Sequence, residues 1–192
     1  MKVPFAVGEP SFPYRSPVPS KFCTRQDYEY PDGSKKDFYL WGPSIFSVLV
    51  FAITENGNVL VIRQWRPGAG GVIKEVAGGH RKKKPQVEGL QDPIEALIDE
   101  LREETGYRAA AIVPLSDIWA EPASEQAGFN CFLALDCKKV GDPEPEFEEI
   151  LEPCEMSMDD WLDFCSSPAT GKEKDGKTLA ITLLALRHMG RI

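Results

Sequence analysis

Apolar and polar positions change their spacing along this 192-residue chain, and each change marks an element. The opening stretch, MKVPFAVGEPSFPYRSPVPS, has prolines at 4, 10, 13, 17 and 19 and no sustained period. That excludes regular helix and predicts an extended arm over 1–20, either free or packed on the domain or a second subunit. From residue 21 the alternation is β-like. YEYPDGSKKDFYLW places Pro31-Asp32-Gly33 between aromatic-rich segments and reads as a hairpin. SIFSVLVFAI reads as a buried strand, TENGN as a turn and VLVIRQW as the return strand; GVIKEVAGG is a further strand ending in paired glycines.

After the polar stretch HRKKKPQVEGLQ the period lengthens. Asp92 suits an N-cap, Pro93 the first helical position, Glu95 the partner in a capping-box-like pair, and Gly106 the C-terminal cap. Ile94, Leu97, Ile98 and Leu101 fall at i, i+3, i+4, i+7 and predict the apolar face. AAAIVPLSDIWA and NCFLALDCKKV read as strands, GDPEPEFEEILEP as an acidic loop and SMDDWLDFCSS as a short helix. DGKTLAITLLALRHMG closes as a helix whose apolar positions are read at 179, 182, 183 and 186. The expectation is one α+β domain over 21–192, layered α/β/α.

Charge and cysteine content narrow the chemistry. A net charge of −8 argues against non-specific nucleic-acid binding and against anionic membrane surfaces. Five cysteines without a C-x-x-C pair, and two distant histidines, make a zinc site or a disulfide framework unexpected. The longest strongly apolar run, Ile45 to Ile53, is about half of what a membrane helix needs, and the first residues lack a secretory pattern. A cytoplasmic protein with reduced thiols is the expectation.

One stretch resists a purely structural account. IDELREETGY sets Asp99, Glu100, Glu103 and Glu104 within six helical positions, where like charges repel by a few tenths of a kcal/mol per pair. Glu100, Glu103 and Glu104 share one sector of the helix. Such a set forms an all-oxygen site for a hard divalent cation, or else a solvated acidic face.

The neighbouring residues bear on that choice. Glu100, Leu101, Glu103, Glu104, Gly106 and Tyr107, with glycines at 78 and 79 ending an upstream strand, resemble the Nudix box. VIRQWRPGAGGVIKEVAGG, PEFEEILE and DGKTLAITLLAL are similar to segments of the ADP-ribose pyrophosphatase-type Nudix hydrolases, and the likeness runs over roughly 22 to 190. It implies an α/β/α sandwich around a mixed β-sheet, often a homodimer built through the N-terminal strands. It further implies divalent-metal-dependent hydrolysis of the pyrophosphate of ADP-ribose or a related nucleoside diphosphate sugar, with Mg2+ or Mn2+ as cofactor.

Carried over residue by residue, the resemblance makes Glu100, Glu103, Glu104 and the Gly78 carbonyl metal ligands. Glu103 and Glu149 become catalytic residues, with Glu146, Glu148 and Glu152 as alternatives to Glu149 in the acidic loop. Arg66 and Glu75 fall at substrate-site positions. Arg63 joins them as a substrate-binding candidate or is a surface charge. Trp41 or Trp65 is a candidate to stack on adenine, or else a core residue. Two positions depart from the box. Asp99 stands where the family has an arginine that orients the glutamate at Glu103, and Gln91 stands where it has a glutamate; the Gly79–Gln91 spacing is also six residues longer than the family's. These departures keep a second reading open, a catalytically impaired Nudix-fold module that binds a nucleotide or a partner. In a third, the Arg81–Lys84 run grips extra phosphates.

Overall fold

The computed structural model describes residues 3, 5–15, 22–42, 46–82, 89–147 and 149–192. Lys83, Lys84, Glu148 and residues 16–20 of the expected arm lie outside them. The chain divides into two compact units, one of residues 1–46 and 119–128, the other of 47–118 and 129–192.

The first unit is a three-stranded antiparallel sheet, β1 (Phe5–Arg15), β2 (Phe22–Glu29) and β3 (Lys35–Trp41), in that order. β1 is an edge strand, where prolines cost no ladder hydrogen bond, and its register slips between Val7 and Ser11 and again before Tyr14. β2 and β3 form the expected hairpin from Cys23↔Trp41 to Glu29↔Lys35. Its turn needs Gly33 at φ 83°, a left-handed conformation that glycine adopts without strain.

The second unit carries a larger mixed sheet. Its strands are β4 (Phe46–Thr54), β5 (Val59–Arg66), β6 (Gly71–Glu75), β7 (Tyr107–Arg108), β8 (Ala111–Pro114), β9 (Ile118–Trp119), β10 (Gly128–Lys139) and β11 (Leu151–Met156). The main path is β11-β5-β4-β10-β7, with β6 also on β5 and β8 also on β10. Helices α1 (Pro93–Thr105), α2 (Met158–Ser166) and α3 (Gly176–His188) cover it.

Alternation along β4 and β5 splits the core in two. Leu49, Phe51, Val59 and Val61 pack with Trp161 and Phe164 of α2 and Ile181 and Ala185 of α3. Val48, Val50, Ala52, Leu60 and Ile62 pack with Ala96, Leu97 and Leu101 of α1. Side chains of period two thus feed both faces of the sheet, and the result is the expected α/β/α sandwich.

Three expectations are corrected. On α1, Ile94 and Ile98 are exposed, and the buried side runs through Ala96, Leu97, Leu101 and Glu104. On α3, Leu179 and Leu183 are exposed, while Thr178, Ile181, Thr182 and Ala185 are buried at i, i+3, i+4, i+7. That helix is apolar nearly all round, and the two threonines on its buried side have partners for their hydroxyls: Thr178 Oγ1 accepts from Val76 N at 3.4 Å. Thr182 donates to the Thr178 carbonyl at 2.8 Å and accepts from Trp161 Nε1 at 3.2 Å. Finally, the acidic loop ends earlier than its composition indicates, because Leu151–Met156 pairs with β5 as an edge strand and so tolerates Pro153.

Candidate active site

β6 creates the site by parting two neighbours. β5 pairs with β4 at Val59 and Leu60 and then with β6 from Ile62 to Arg66. The chain after β6 meets β4 instead: Val50 N donates to Ala77 O at 2.9 Å, and Val48 and Gly79 exchange bonds of 2.9 and 3.1 Å. Ala77-Gly78-Gly79 is therefore seated along β4 where β5 has turned away. A Cβ at Gly78 would overlap the Val48 carbonyl oxygen, and one at Gly79 would overlap the Glu100 carboxyl group. Close approach of backbone requires glycine at 78, whereas a side chain at 79 would displace the Glu100 carboxyl from its place.

α1 delivers its carboxylates onto this glycine pair. Asp92 caps the helix, accepting from Ile94 N at 2.8 Å, and Gly106 ends it at φ 76°. Leu97, Leu101 and Glu104 lie at i, i+4, i+7, so the leucines that anchor the helix also drive Glu104 inward, to 2% exposure. There its Oε2 accepts from Gly78 N at 2.9 Å. Burial pushes the Glu104 carboxyl up to about 8; the Gly78 bond works against this, and the charges of Glu100, Glu149 and Glu75 add to it. Glu100, against Gly79, is pushed up to about 7, first by burial, with Lys82 opposing and Glu103, Glu149 and Glu146 adding. Glu103 is half-buried and accepts from Lys82 Nζ at 3.0 Å.

The acidic loop is pinned to the end of α1. Glu144 N donates to the Glu103 carbonyl at 2.7 Å, and the Glu144 carboxylate accepts from Arg102 at 2.8 Å. Glu149 turns back within the loop, its Oε2 accepting from Glu146 N at 3.0 Å, yet it sits close enough to raise both Glu100 and Glu104. Glu146 comes within 3.9 Å of Lys82. Glu152 is not a loop residue. It lies on β11 and accepts from Arg63 Nη1 at 2.9 Å.

A second charged group adjoins the first. Glu75, 1% exposed, accepts from Arg66 Nε at 2.6 Å and from Lys177 Nζ at 2.6 Å. Lys177 also pairs with Asp175, the N-cap of α3. Lys174 holds the entry to that helix by donating to the Phe164, Cys165 and Ser167 carbonyls at 2.8, 2.7 and 2.9 Å. Arg66 is near enough to the α1 carboxylates that Glu104 helps raise its pKa; burial opposes the charge, and Glu75 outweighs it. A cavity of about 580 Å3 beside this group is lined by Arg66, Pro67, Lys172 and Lys177, among others.

The structure thus brings Gly78, Glu100, Glu103, Glu104 and Glu149 together, with Arg66 and Glu75 alongside. It does not bring Arg63 to them: Arg63 and Arg66 are an odd number of positions apart on β5 and leave opposite faces. Asp99 is not part of the cluster either. Its carboxylate accepts from Gln91 Nε2 at 2.6 Å, and burial rather than Asp99 heads the causes that raise Glu100 and Glu104. Trp65, 45% exposed on β5, and Trp41, 50% exposed on β3, are not core residues. The sequence allowed a lysine of the 81–84 run to replace the missing box arginine without indicating which one, and Lys82 is the one that reaches Glu103.

Among the described residues, no three His, Cys, Asp or Glu side chains converge closely enough to hold a metal ion as they stand. The donor chemistry nonetheless fits a divalent cation. On one helical sector the charge of Glu103 adds to the rise at Glu100 and that of Glu100 to the rise at Glu104, while Lys82 opposes the rise at Glu100.

The geometry has relatives. Residues 43–180 match the family model of the NUDIX domain, and the chain belongs to that family. Nudix hydrolases as a family use divalent metals. The chain is 26% identical over 145 residues to an ADP-ribose pyrophosphatase of Bacillus subtilis (strain 168), spanning 74% of each chain. It is 30% identical over 103 residues to an ADP-ribose pyrophosphatase of Mycobacterium tuberculosis (strain ATCC 25618 / H37Rv), over 54% of this chain and 47% of that one. The fold matches a solved structure described as an ADP compounds hydrolase, with a TM-score of 0.79 and 18% identity over 100% of this chain and 98% of the other. Among the described residues no helix is long and apolar enough to cross a membrane.

Proposed function

We propose that the chain is a Mg2+-dependent pyrophosphohydrolase, with Mn2+ as an alternative ion, acting on ADP-ribose or a related nucleoside diphosphate sugar. The observation that carries the reading is the pair of carboxylates, half-buried Glu100 and buried Glu104, held against Gly79 and Gly78 at the parting of β4 and β5. Glu100, Glu103, Glu104 and the Gly78 carbonyl would hold the cation. When bound, it supplies the positive charge that lets a nucleophile approach an anionic pyrophosphate.

The chain's own residues do the rest. Glu75 orients Arg66 by accepting from its Nε, and the guanidinium carries a fork suited to phosphate oxygens. Water attacks one phosphorus, the bridging P–O bond breaks, and Glu149 accepts the proton that water loses. With ADP-ribose the products are AMP and ribose 5-phosphate. The similarity to two ADP-ribose pyrophosphatases supports this substrate class. The exposed aromatics of the N-terminal sheet, Phe5, Tyr14, Tyr39 and Trp41, support assembly as a homodimer through that sheet. The unpaired cysteines support a cytoplasmic location.

Incubation with ADP-ribose and Mg2+, following release of AMP, tests the reading. Turnover is expected. Its absence across a panel of nucleoside diphosphate sugars, with either ion, would overturn the reading in favour of a binding module.

A further inference from the structure

We infer that Lys82, held in place by the Gln91–Asp99 pair, is a positioning residue for Glu103 and does from the preceding loop what a basic residue on α1 itself could do. The inference rests on the metal-site reading above.

Lys82 is tied in place from behind. Gln91 N donates to the Lys82 carbonyl at 2.8 Å, and Arg81 Nε donates to the Gln91 carbonyl at 2.7 Å, so residues 81–82 and 91 close the neck of the long segment between them. The Gln91 side chain is spent on Asp99, at 2.6 Å, and that bond fastens the neck to α1. The two positions that depart from the family pattern are therefore each other's partners. The product of the arrangement is the Lys82 ammonium, 3.0 Å from Glu103 Oε2 and 3.9 Å from Glu146.

Stability does not explain it. The side chains of Lys82 and Glu103 are 48% and 26% exposed, and such partly solvated pairs contribute about 0–1 kcal/mol. Orientation does. Glu103 is half-buried, and unlike Glu104 it gains no backbone N–H from the glycine pair among the described residues. Lys82 holds one carboxylate oxygen, fixing the rotamer and the direction in which the other oxygen faces. Partners that hold a ligating carboxylate in this way typically matter by 10- to 100-fold in metal affinity or activity, by order of magnitude.

The inference separates from a plain electrostatic account by sign. If Lys82 only competed with a cation for the carboxylates, removing it would tighten metal binding; if it positions Glu103, removal weakens binding. Mn2+ affinity by electron paramagnetic resonance, together with kcat and KM for ADP-ribose, should be measured for wild type, Lys82→Met, Lys82→Arg and the double variant Lys82→Met/Asp99→Arg. Lys82→Met is expected to lose roughly 10- to 100-fold in Mn2+ affinity and in kcat, with KM within about threefold. Lys82→Arg should retain most of what Lys82→Met loses. Adding Asp99→Arg to Lys82→Met should likewise recover most of the loss, because 99 and 103 are i, i+4 neighbours on α1. Mn2+ binding by Lys82→Met that equals or exceeds wild type overturns the inference alone. Wild-type protein that binds no Mn2+ overturns the metal-site reading and the inference with it.

Discussion

Glu75 and Glu104 are both all but inaccessible, at 1% and 2% exposure, and the charge of Glu104 reaches Arg66, the partner of Glu75. Their partners differ completely. Glu75 is neutralised inside the protein by Arg66 and Lys177, each at 2.6 Å. Glu104 has one backbone N–H, from Gly78, and carboxylates around it. Burying a charge is costly unless it is paired. The fold has met that cost at Glu75 and deferred it at Glu104. Glu75 is thus built to hold structure, and Glu104 to receive charge from outside.

Substitution of each by its amide should sharpen the contrast. Glu104→Gln keeps an acceptor for Gly78 N but removes a charge proposed to hold the metal, and should lower kcat/KM roughly 10²- to 10³-fold, about 3–4 kcal/mol. Metal-free stability should hold at neutral pH and rise above pH 8, where the folded Glu104 carboxyl would otherwise be a buried charge. An active Glu104→Gln enzyme would show that the comparison has the wrong residue. Glu75→Gln should act in the opposite sense, leaving Arg66 without its countercharge and Lys177 with Asp175 alone. Loss of one partner from a fully buried ion pair costs about 3–5 kcal/mol, and the partial exposure of Arg66 and Lys177 reduces the expectation to about 2–3. At about 2–4 °C per kcal/mol for a chain of this size, thermal denaturation should shift down by about 5–10 °C. No shift would mean that Glu75 is not the internal brace.

The pH dependence follows from the same difference. Glu104 at about 8 and Glu100 at about 7 lie above the ordinary carboxylate value of 4.5, burial being the first cause for both. Between 4.5 and 8 the folded chain therefore holds protons that the unfolded chain has released. Stability from these groups is complete below the unfolded value and is lost as pH rises through 7 and then 8. Metal-free protein should melt a few degrees lower at pH 8.5 than at pH 5.5, as scanning calorimetry would show. Added Mn2+ should recover more at the higher pH, where both carboxylates are ionised. Glu104→Gln should flatten the curve, and an unflattened curve would place the titration elsewhere.

How far the sequence displayed this depends on distance along the chain. Glu100, Glu103 and Glu104 were legible because helical spacing alone puts them on one sector, and the caps at Asp92 and Gly106 fixed the helix bounds. What escaped was the direction that sector faces. Ile94 and Ile98 match the apolar period as well as Leu97 and Leu101 do, and only the sheet decides that Glu104 turns inward while the isoleucines stay out. The same ambiguity misplaced the buried face of α3. Lys82–Glu103, Arg66–Glu75 and Lys177–Glu75 join residues 21, 9 and 102 positions apart, and no local period reports such partners. Glu152 was hidden by its composition, since an acidic segment with a proline resembles a loop until its pairing with β5 shows an edge strand.

Arg63 marks the boundary of the comparison, because it carries the same charge as Arg66 on the same strand. Its side chain is 50% exposed and its partner Glu152 is 71% exposed, so the pair should contribute no more than about 1 kcal/mol. Strand alternation sends Arg63 to the face opposite Arg66 and α1. Arg63→Ala should leave kcat/KM for ADP-ribose within about twofold and stability within about 1 kcal/mol, whereas Arg66→Ala should raise KM clearly. A loss above tenfold for Arg63→Ala would break the division of β5 into a structural and a substrate-facing side. It would mean that the nucleotide reaches the β11 edge of the sheet, and that Glu152 holds Arg63 for the substrate as Glu75 holds Arg66.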